Sequence, residues 1–101
     1  MKISVLGAGA WGTALAIHLA KKHQVILWAR NGSHISGMRK ARSNPKYLGN
    51  FQFPEQLFLD NDLQSAVVSA DLIISAVPTS AFRDLLSELK KLNNLPIIWA
   101  N

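Results

Sequence analysis

Three glycines near the start of the chain, Gly7, Gly9 and Gly12, form the pattern G-x-G-x-x-G. An apolar run at residues 3–6 precedes the pattern and an Ala-rich stretch at residues 11–22 follows it, which predicts a strand-to-helix turn. In such a turn the first glycine permits the tight bend, the second lets the backbone approach a pyrophosphate, and the third lets the helix pack against the strand. The pattern predicts a dinucleotide phosphate loop; the alternative is a glycine turn that binds nothing.

The first residues of the predicted helix supply the charge complement of a phosphate. The N–H groups of Ala10, Trp11 and Gly12 stand where a helix has no internal acceptors for them. These groups and the positive end of the helix dipole both favour an anion. We therefore expect Ala10, Trp11 and the three glycines to contact the cofactor.

Arg30 follows the second predicted strand, Gln24–Trp28, and bears on which dinucleotide is bound. Proteins selective for NAD usually carry Asp or Glu there to bind the ribose 2′-hydroxyl. A carboxylate would repel a 2′-phosphate, whereas a guanidinium can hold it with two hydrogen bonds. The sequence favours NADPH, with NADH still possible. The basic residues of segment 39–46 either add to this positive field or form a solvated helix face.

Three further residues are candidates for the cofactor site. Val77 and Pro78 end the predicted strand 72–77, and ligands of open α/β sheets bind at the carboxyl ends of strands. They are expected to line the ribose or nicotinamide side, unless they only stop the strand and start a helix. Tyr47 lies in a predicted loop, residues 43–54, and is expected to close over the adenosine half.

The sequence supplies no candidate for catalysis or for metal binding. It has no cysteine, which excludes a disulfide, a thiolate metal site and a thiol nucleophile. The three histidines lack metal-ligand spacing: His18 is interpreted as structural, and His23 and His34 as exposed. Asp60 and Asp62 fit a turn and a helix cap. We therefore assign no catalytic residue and no metal.

Alternating strands and helices predict how these residues are positioned. Continuous apolar runs indicate strands buried on both faces, as in a parallel sheet covered by helices. Right-handed crossovers give a Rossmann-type, doubly wound α/β fold with strand order 3-2-1-4-5. The predicted strands are 3–6, 24–28, 57–59, 72–77 and 96–100. The first predicted helix spans residues 11–22, the second follows a Ser33 cap, and the third follows an Asp62 cap. The fourth is capped by Thr79 or Ser80 and is broken at Asn93 and Asn94.

Length and composition limit the class of protein. The chain has 101 residues, 49% of them hydrophobic, and fits either one small globular domain or a piece of a larger protein. Because a doubly wound dinucleotide-binding fold needs a second half, we expect residues 1–101 to be the truncated N-terminal dinucleotide-binding domain of a longer enzyme. Its net charge of +5 favours anionic partners, but no nucleic-acid-binding motif is present. Glycines interrupt the uncharged stretch 3–20, which argues against a membrane span. We expect a cytoplasmic protein without stable membrane insertion.

Five segments together resemble one enzyme family. They read GAGAWGTALAIHLA, VILWARN, NPKYL, ISAVPTSAFRDLL and PIIWAN, and they occur in order over nearly the whole chain. The combination of the glycine loop, a Trp-x-Arg strand end and a V-P-[ST] corner resembles the N-terminal domain of bacterial NAD(P)-dependent glycerol-3-phosphate dehydrogenases.

The resemblance implies an activity whose reacting residues lie elsewhere. The family reduces dihydroxyacetone phosphate to sn-glycerol 3-phosphate for phospholipid synthesis, and its positions matching Ala10, Trp11 and Arg30 contact the cofactor. A Lys-Gly pair normally follows the last strand, and the proton-accepting lysine lies further on. This chain is thus expected to be an N-terminal fragment that binds cofactor but does not turn over. Alanine at position 10 replaces a frequent hydroxyl residue, which weakens the site without abolishing it.

Other functions stay open at this stage. The chain also fits the cofactor domain of another two-domain dehydrogenase, of the β-hydroxyacid or 6-phosphogluconate type, or a nucleotide-sensing module without chemistry. The positive charge is the only feature that supports nucleic-acid binding.

The strand at residues 97–99 is expected to lack a neighbour on one side, and unpaired apolar edges pair with other chains. We therefore expect some self-association through this strand.

Overall fold

The computed structural model describes residues 1–49, 51–92 and 97–99. In this part of the chain the elements follow in the order β1 (Lys2–Leu6), α1 (Ala10–Leu19), β2 (Gln24–Trp28), α2 (Gly32–Ala41), α3 (Pro45–Leu48), β3 (Leu57–Asp60), α4 (Leu63–Val67), β4 (Leu72–Ser75), α5 (Thr79–Leu92) and β5 (Ile97–Trp99).

The strands form one parallel sheet in the order β3-β2-β1-β4-β5. The predicted fold class and strand order are confirmed. Because parallel strands share one carboxyl edge, the register places Leu6 beside Trp28 on one side and Ser75 on the other. The segments that follow β1, β2 and β4 therefore leave the sheet next to one another, and these segments carry the glycine pattern, Arg30 and the Val77–Pro78 corner.

Two apolar clusters cover the two faces of the sheet. Along β1, Val5 belongs to one cluster and Leu6 to the other, and Leu27 and Trp28 divide in the same way along β2. This alternation follows from the strand period of two. The first cluster takes in buried residues of α1, its C-cap residue Ala20, and α2, and the second takes in those of α4 and α5. The residues are Ala16, Ala20, Ile35 and Met38 in the first cluster, and Leu63, Ala66, Val67, Leu85 and Leu89 in the second.

Several predicted boundaries move by a few residues. Helix α1 ends at Leu19 instead of residue 22, because the N–H groups of Lys22 and His23 both donate to the Leu19 carbonyl as the chain turns into β2. Strand β4 ends at Ser75, before the predicted end at residue 77. Asp62 caps α4 as predicted, since its side chain accepts a hydrogen bond from the N–H of Ser65.

Two expectations about helix starts are wrong. Asn31, not Ser33, caps α2: its side-chain oxygen accepts the N–H of His34 at 3.1 Å. Helix α5 begins at Thr79, so neither Thr79 nor Ser80 precedes it as a cap. The N–H groups of Ala81 and Phe82 instead donate to the Pro78 carbonyl.

The segment predicted as a plain loop, residues 43–54, contains more structure. Helix α3 lies within it, and Ser43 forms an antiparallel bridge with Gln52. Two arginines of the basic segment donate hydrogen bonds to backbone carbonyls at the end of this segment and in the adjoining strand β3. Arg39 donates to the carbonyl of Leu59 at 2.7 Å, and Arg42 donates to the carbonyls of Leu57 and Pro54 at 2.9 and 2.8 Å.

Strand β5 pairs with β4 and ends the sheet on that side, as the predicted order requires. Self-association through it stays a prediction. The expected helix break at Asn93 and Asn94, and the expected strand ends at Pro96 and Ala100, lie outside the described residues. Within the described ranges, no helix has the length and apolar character that crossing a membrane requires.

Candidate cofactor-binding site

The glycine loop connects β1 to α1, and its three glycines differ in what surrounds them. Gly7 has φ +115°, and a Cβ there would lie 3.0 Å from the backbone carbon and oxygen of Ala76. A Cβ on Gly12 would lie 1.9 Å from the Gly7 carbonyl oxygen. Beside Gly9, no heavy atom lies within 4 Å of an added Cβ. Gly7 and Gly12 therefore permit the bend and the close packing, while the space beside Gly9 is open.

The start of α1 keeps its backbone donors available. Gly9 is the N-cap residue and supplies no side-chain cap, and its carbonyl accepts the N–H of Thr13 at 3.0 Å. The first turn, which begins with Ala10 and Trp11, contains no acidic residue. The N–H groups of this turn have no acceptors inside the helix. The turn can therefore bind an anion from the open side of the loop.

Two adjoining clefts lie over the carboxyl edge of the sheet. One, of about 290 Å³, extends from the glycine loop to the end of β2 and to α5; the other, of about 540 Å³, extends from the loop to the start of α1. All nine residues predicted to contact the cofactor line at least one cleft: Gly7, Gly9, Ala10, Trp11, Gly12, Arg30, Tyr47, Val77 and Pro78. The clefts share their glycine-loop, Tyr47, Val77 and Pro78 walls, so an elongated ligand can occupy both.

Arg30 lies at the β2 end of the first cleft. Its guanidinium is paired with Glu88 of α5, with Nη2 donating to Oε2 at 2.7 Å and Nη1 to Oε1 at 3.4 Å. Its Cζ atom lies 5.3 Å from the centre of the Trp28 ring, within the range of a cation–π contact. The Arg30 side chain is 64% exposed, so it remains accessible to a ligand in the cleft.

The electrostatics of this pair are mutual. The hydrogen bond from Arg30 lowers the pKa of the Glu88 carboxyl, slight burial opposes the shift, and the charge of the arginine adds to it. The hydrogen bond to Glu88 likewise raises the pKa of the Arg30 guanidinium. Both groups are thus ionised at neutral pH, and the contact is a full ion pair.

Sequence reasoning missed Asn44, which ties the glycine loop to the segment after α2. Its side chain is buried, and its amide nitrogen donates to the carbonyl of Ala8 at 3.0 Å and to the hydroxyl of Thr13 at 2.8 Å. Its oxygen lies 3.0 Å from Nε2 of His34. The two hydrogen bonds donated by the amide nitrogen fix which end of the side chain faces His34. The end that faces His34 is the oxygen, which can only accept a hydrogen bond, so His34 carries the proton on Nε2. No signal in the sequence separates this asparagine from a solvated one.

His34 is half-buried and lines the first cleft, which corrects the expectation that it is exposed. Its ring lies 5.7 Å from that of Tyr47, so the two rings form one wall. His23 is also half-buried, but it lies at the opposite edge of the sheet. His18 is exposed on α1 and lines neither of the two clefts.

Comparisons with known proteins agree over nearly the whole chain. The family model for the NAD-dependent glycerol-3-phosphate dehydrogenase N-terminus matches residues 2–101. Glycerol-3-phosphate dehydrogenase [NAD(P)+] of Methylobacillus flagellatus is 53% identical over 102 residues, which cover 100% of this chain and 31% of that protein. The protein of the same name from Colwellia psychrerythraea is 46% identical, over 98% of this chain and 30% of its own.

A solved structure gives the same result. The crystal structure of glycerol-3-phosphate dehydrogenase from Coxiella burnetii superimposes with a TM-score of 0.94 and 37% identity, covering 98% of this chain and 31% of that one. The chain thus spans just under a third of the length of the relatives it matches. Since the match runs through the glycine loop, the strand ends and all five strands, the chain belongs to the NAD-dependent glycerol-3-phosphate dehydrogenase family and corresponds to its N-terminal region.

Proposed function

We propose that this chain binds the dinucleotide of NADPH or NADH across the two adjoining clefts, with the pyrophosphate on the first turn of α1. The observation that carries the proposal is the glycine loop: Gly7 and Gly12 are required by backbone contacts, whereas the space beside Gly9 is open. A diphosphate needs such an uncovered backbone, because its oxygens accept from N–H groups at hydrogen-bonding distance. Family membership supports NAD(P)H binding as the function of this region.

The first cleft suits the adenosine half. Tyr47 and His34 form one wall and Ala81 and Leu85 of α5 form another. Apolar walls with a few polar groups are typical of small-molecule sites. Arg30, at the β2 end, would then face the ribose 2′ position and hold the 2′-phosphate of NADPH. NADPH is therefore the proposed preferred cofactor, with NADH as the second.

Arg30→Ala is expected to weaken NADPH binding about tenfold or more, because hydrogen bonds to charged groups contribute about 1.5–3 kcal/mol. NADH, which has no 2′-phosphate, should keep its affinity within about twofold. Calorimetric titration of the chain with each cofactor measures both values. Arg83→Ala is the matched control, since it removes the same charge from an exposed residue that lines neither cleft. Equal losses for both cofactors in Arg30→Ala would refute the 2′-phosphate contact.

We propose further that the longer protein containing this domain interconverts glycerol 3-phosphate and dihydroxyacetone phosphate in the cytoplasm. Its product glycerol 3-phosphate would supply glycerophospholipid synthesis. A bound nicotinamide would supply the hydride, and the protein would orient the cofactor and move a proton at the substrate oxygen. In this scheme residues 1–101 are the N-terminal dinucleotide-binding domain, which holds the cofactor. The rest of the enzyme binds the substrate and moves the proton.

A chimera tests turnover directly. This chain would replace the matching N-terminal region of the Methylobacillus flagellatus enzyme, to which it aligns over its whole length. The chimera is expected to oxidise NADPH, followed by absorbance, when dihydroxyacetone phosphate is added. The unmodified Methylobacillus enzyme is the positive control. A folded chimera that binds NADPH without turnover would contradict the proposed catalysis and favour a nucleotide-sensing module.

A further inference from the structure

Glu88 lies on α5 next to the proposed adenosine cleft. Ala81 and Leu85 of the same helix line that cleft, and Glu88 follows Leu85 by three residues, which places it on the same side of the helix. Its carboxylate contacts both terminal nitrogens of Arg30, at 2.7 and 3.4 Å. The arginine that is proposed to bind the 2′-phosphate is therefore already hydrogen-bonded to a carboxylate of α5.

The geometry gives a 2′-phosphate two ways to approach Arg30, and Glu88 opposes both. A guanidinium binds phosphate through a pair of N–H groups along one of its edges. If the phosphate takes the edge formed by Nη1 and Nη2, it must displace the carboxylate. If it takes the edge that includes Nε, the two anions lie on neighbouring edges of one guanidinium and repel each other. NADH requires neither change, since its 2′ position carries only a hydroxyl.

The Trp28 ring limits how Arg30 can avoid this competition. The guanidinium lies over the ring, and the cation–π contact holds it near the end of β2. Movement away from Glu88 that also leaves the ring costs this contact.

We propose that Glu88 is a specificity-determining residue that lowers the preference of this site for NADPH over NADH. The inference rests on the proposed function, because it requires the dinucleotide to bind with its 2′ position at Arg30. Glu88 thus supplies, from α5, the acidic group that is absent from the end of β2. Arg30 and Glu88 together make a site that accepts both cofactors, with Arg30 favouring the phosphate and Glu88 opposing it.

Glu88→Gln tests the proposal, since glutamine keeps the size of the side chain and removes its charge. Calorimetric titration of the chain with NADPH and NADH at low salt should show NADPH binding about threefold to tenfold tighter, because an arginine held in an exposed ion pair is released and a repulsion is removed. NADH affinity should stay within about twofold. The gain should shrink as salt is added, because salt screens exposed charges.

Asp84→Asn is the matched control. Asp84 is an exposed carboxylate one turn earlier on α5; it acts on Arg30 through its charge, without a hydrogen bond to it. Its substitution changes the net charge by the same amount and should move the NADPH-to-NADH ratio by less than about twofold, because exposed charges interact weakly at a distance. If Asp84→Asn changes the ratio as much as Glu88→Gln does, the effect is one of net charge and the proposal is wrong.

A double-variant cycle separates this inference from the function on which it rests. With Arg30→Ala present, Glu88→Gln should lose most of its effect on the ratio, because interacting residues are non-additive. If the folded chain and all variants bind neither cofactor, the proposed function fails and this inference fails with it. If Arg30→Ala selectively weakens NADPH binding but Glu88→Gln leaves the ratio unchanged, only this inference is overturned.

Discussion

Gly12→Ala is expected to lower the free energy of unfolding by about 3 kcal/mol or more, which is a large fraction of the total stability of a domain of this size. The added Cβ would lie 1.9 Å from the carbonyl oxygen of Gly7 and 3.2 Å from the Cβ of Ala76. The closest neighbour is backbone, so no flexible side chain can move aside. Relief requires α1 to separate from the end of β1, and that separation opens the core on this face. Urea denaturation followed by circular dichroism measures the change.

The sign of this effect makes it a strong test. Within a helix, glycine to alanine ordinarily stabilises by about 0.5–1 kcal/mol, because glycine loses more backbone entropy on folding. Gly37 in α2 is the control, since no heavy atom lies within 4 Å of an added Cβ. Gly37→Ala should therefore raise stability while Gly12→Ala lowers it. Two stabilised variants would mean that α1 lies further from the glycine loop than the structure places it.

The sheet could be predicted because its strands are nearly continuous apolar runs. Segments such as Gln24–Trp28 have no amphipathic pattern, which indicates burial on both faces and hence a parallel sheet under helices. Once the strands alternate with helices, the handedness of the crossovers leaves few possible orders. The carboxyl edge then brings Gly7, Arg30 and Val77 together whatever the detailed side-chain packing is.

The segment between α2 and β3 could not be predicted in the same way. Its prolines, Gly49 and polar residues are typical of loops, and α3 has only four residues. What orders it is the buried Asn44 side chain, which reaches the carbonyl of Ala8 across 36 positions of sequence. Burial of a polar side chain depends on tertiary contacts, and local composition does not record them. Tyr47, which is expected to contact the cofactor, lines both clefts, whereas His34 beside it was expected to be exposed.

Arg30 shows the same limit at the level of charge. Its type and its place after β2 were enough to predict a role in cofactor selection. Its partner is 58 positions away, and the sequence offers several other carboxylates, including Asp60 and Asp62. Only the packing of α5 over the carboxyl edge selects Glu88 from among them. The preference for NADPH that the sequence suggests is therefore stronger than the preference expected when Arg30 is paired with Glu88.

Gly9→Ala is expected to weaken the binding of both cofactors and leave the fold in place. The residue has φ −76° and ψ −172°, which alanine adopts freely, and an added Cβ meets no heavy atom within 4 Å. Stability should change by about 1 kcal/mol at most, since alanine is only a poorer N-cap than glycine. The methyl group, however, would stand at a position that lines both clefts. Titration should show both cofactors weakened by about tenfold or more, the cost of separating a phosphate from charge-assisted N–H donors.

This result would separate the two tasks of the loop, because Gly12→Ala would weaken binding only by destabilising the fold. The same NADPH-to-NADH ratio before and after Gly9→Ala is part of the expectation, since both cofactors share the pyrophosphate. Gly37→Ala again serves as the control for the substitution itself, away from the clefts. If Gly9→Ala binds both cofactors as tightly as the unsubstituted chain, the pyrophosphate does not lie on this loop. The open space beside Gly9 would then need another explanation, while Gly7 and Gly12 would keep their roles in the fold.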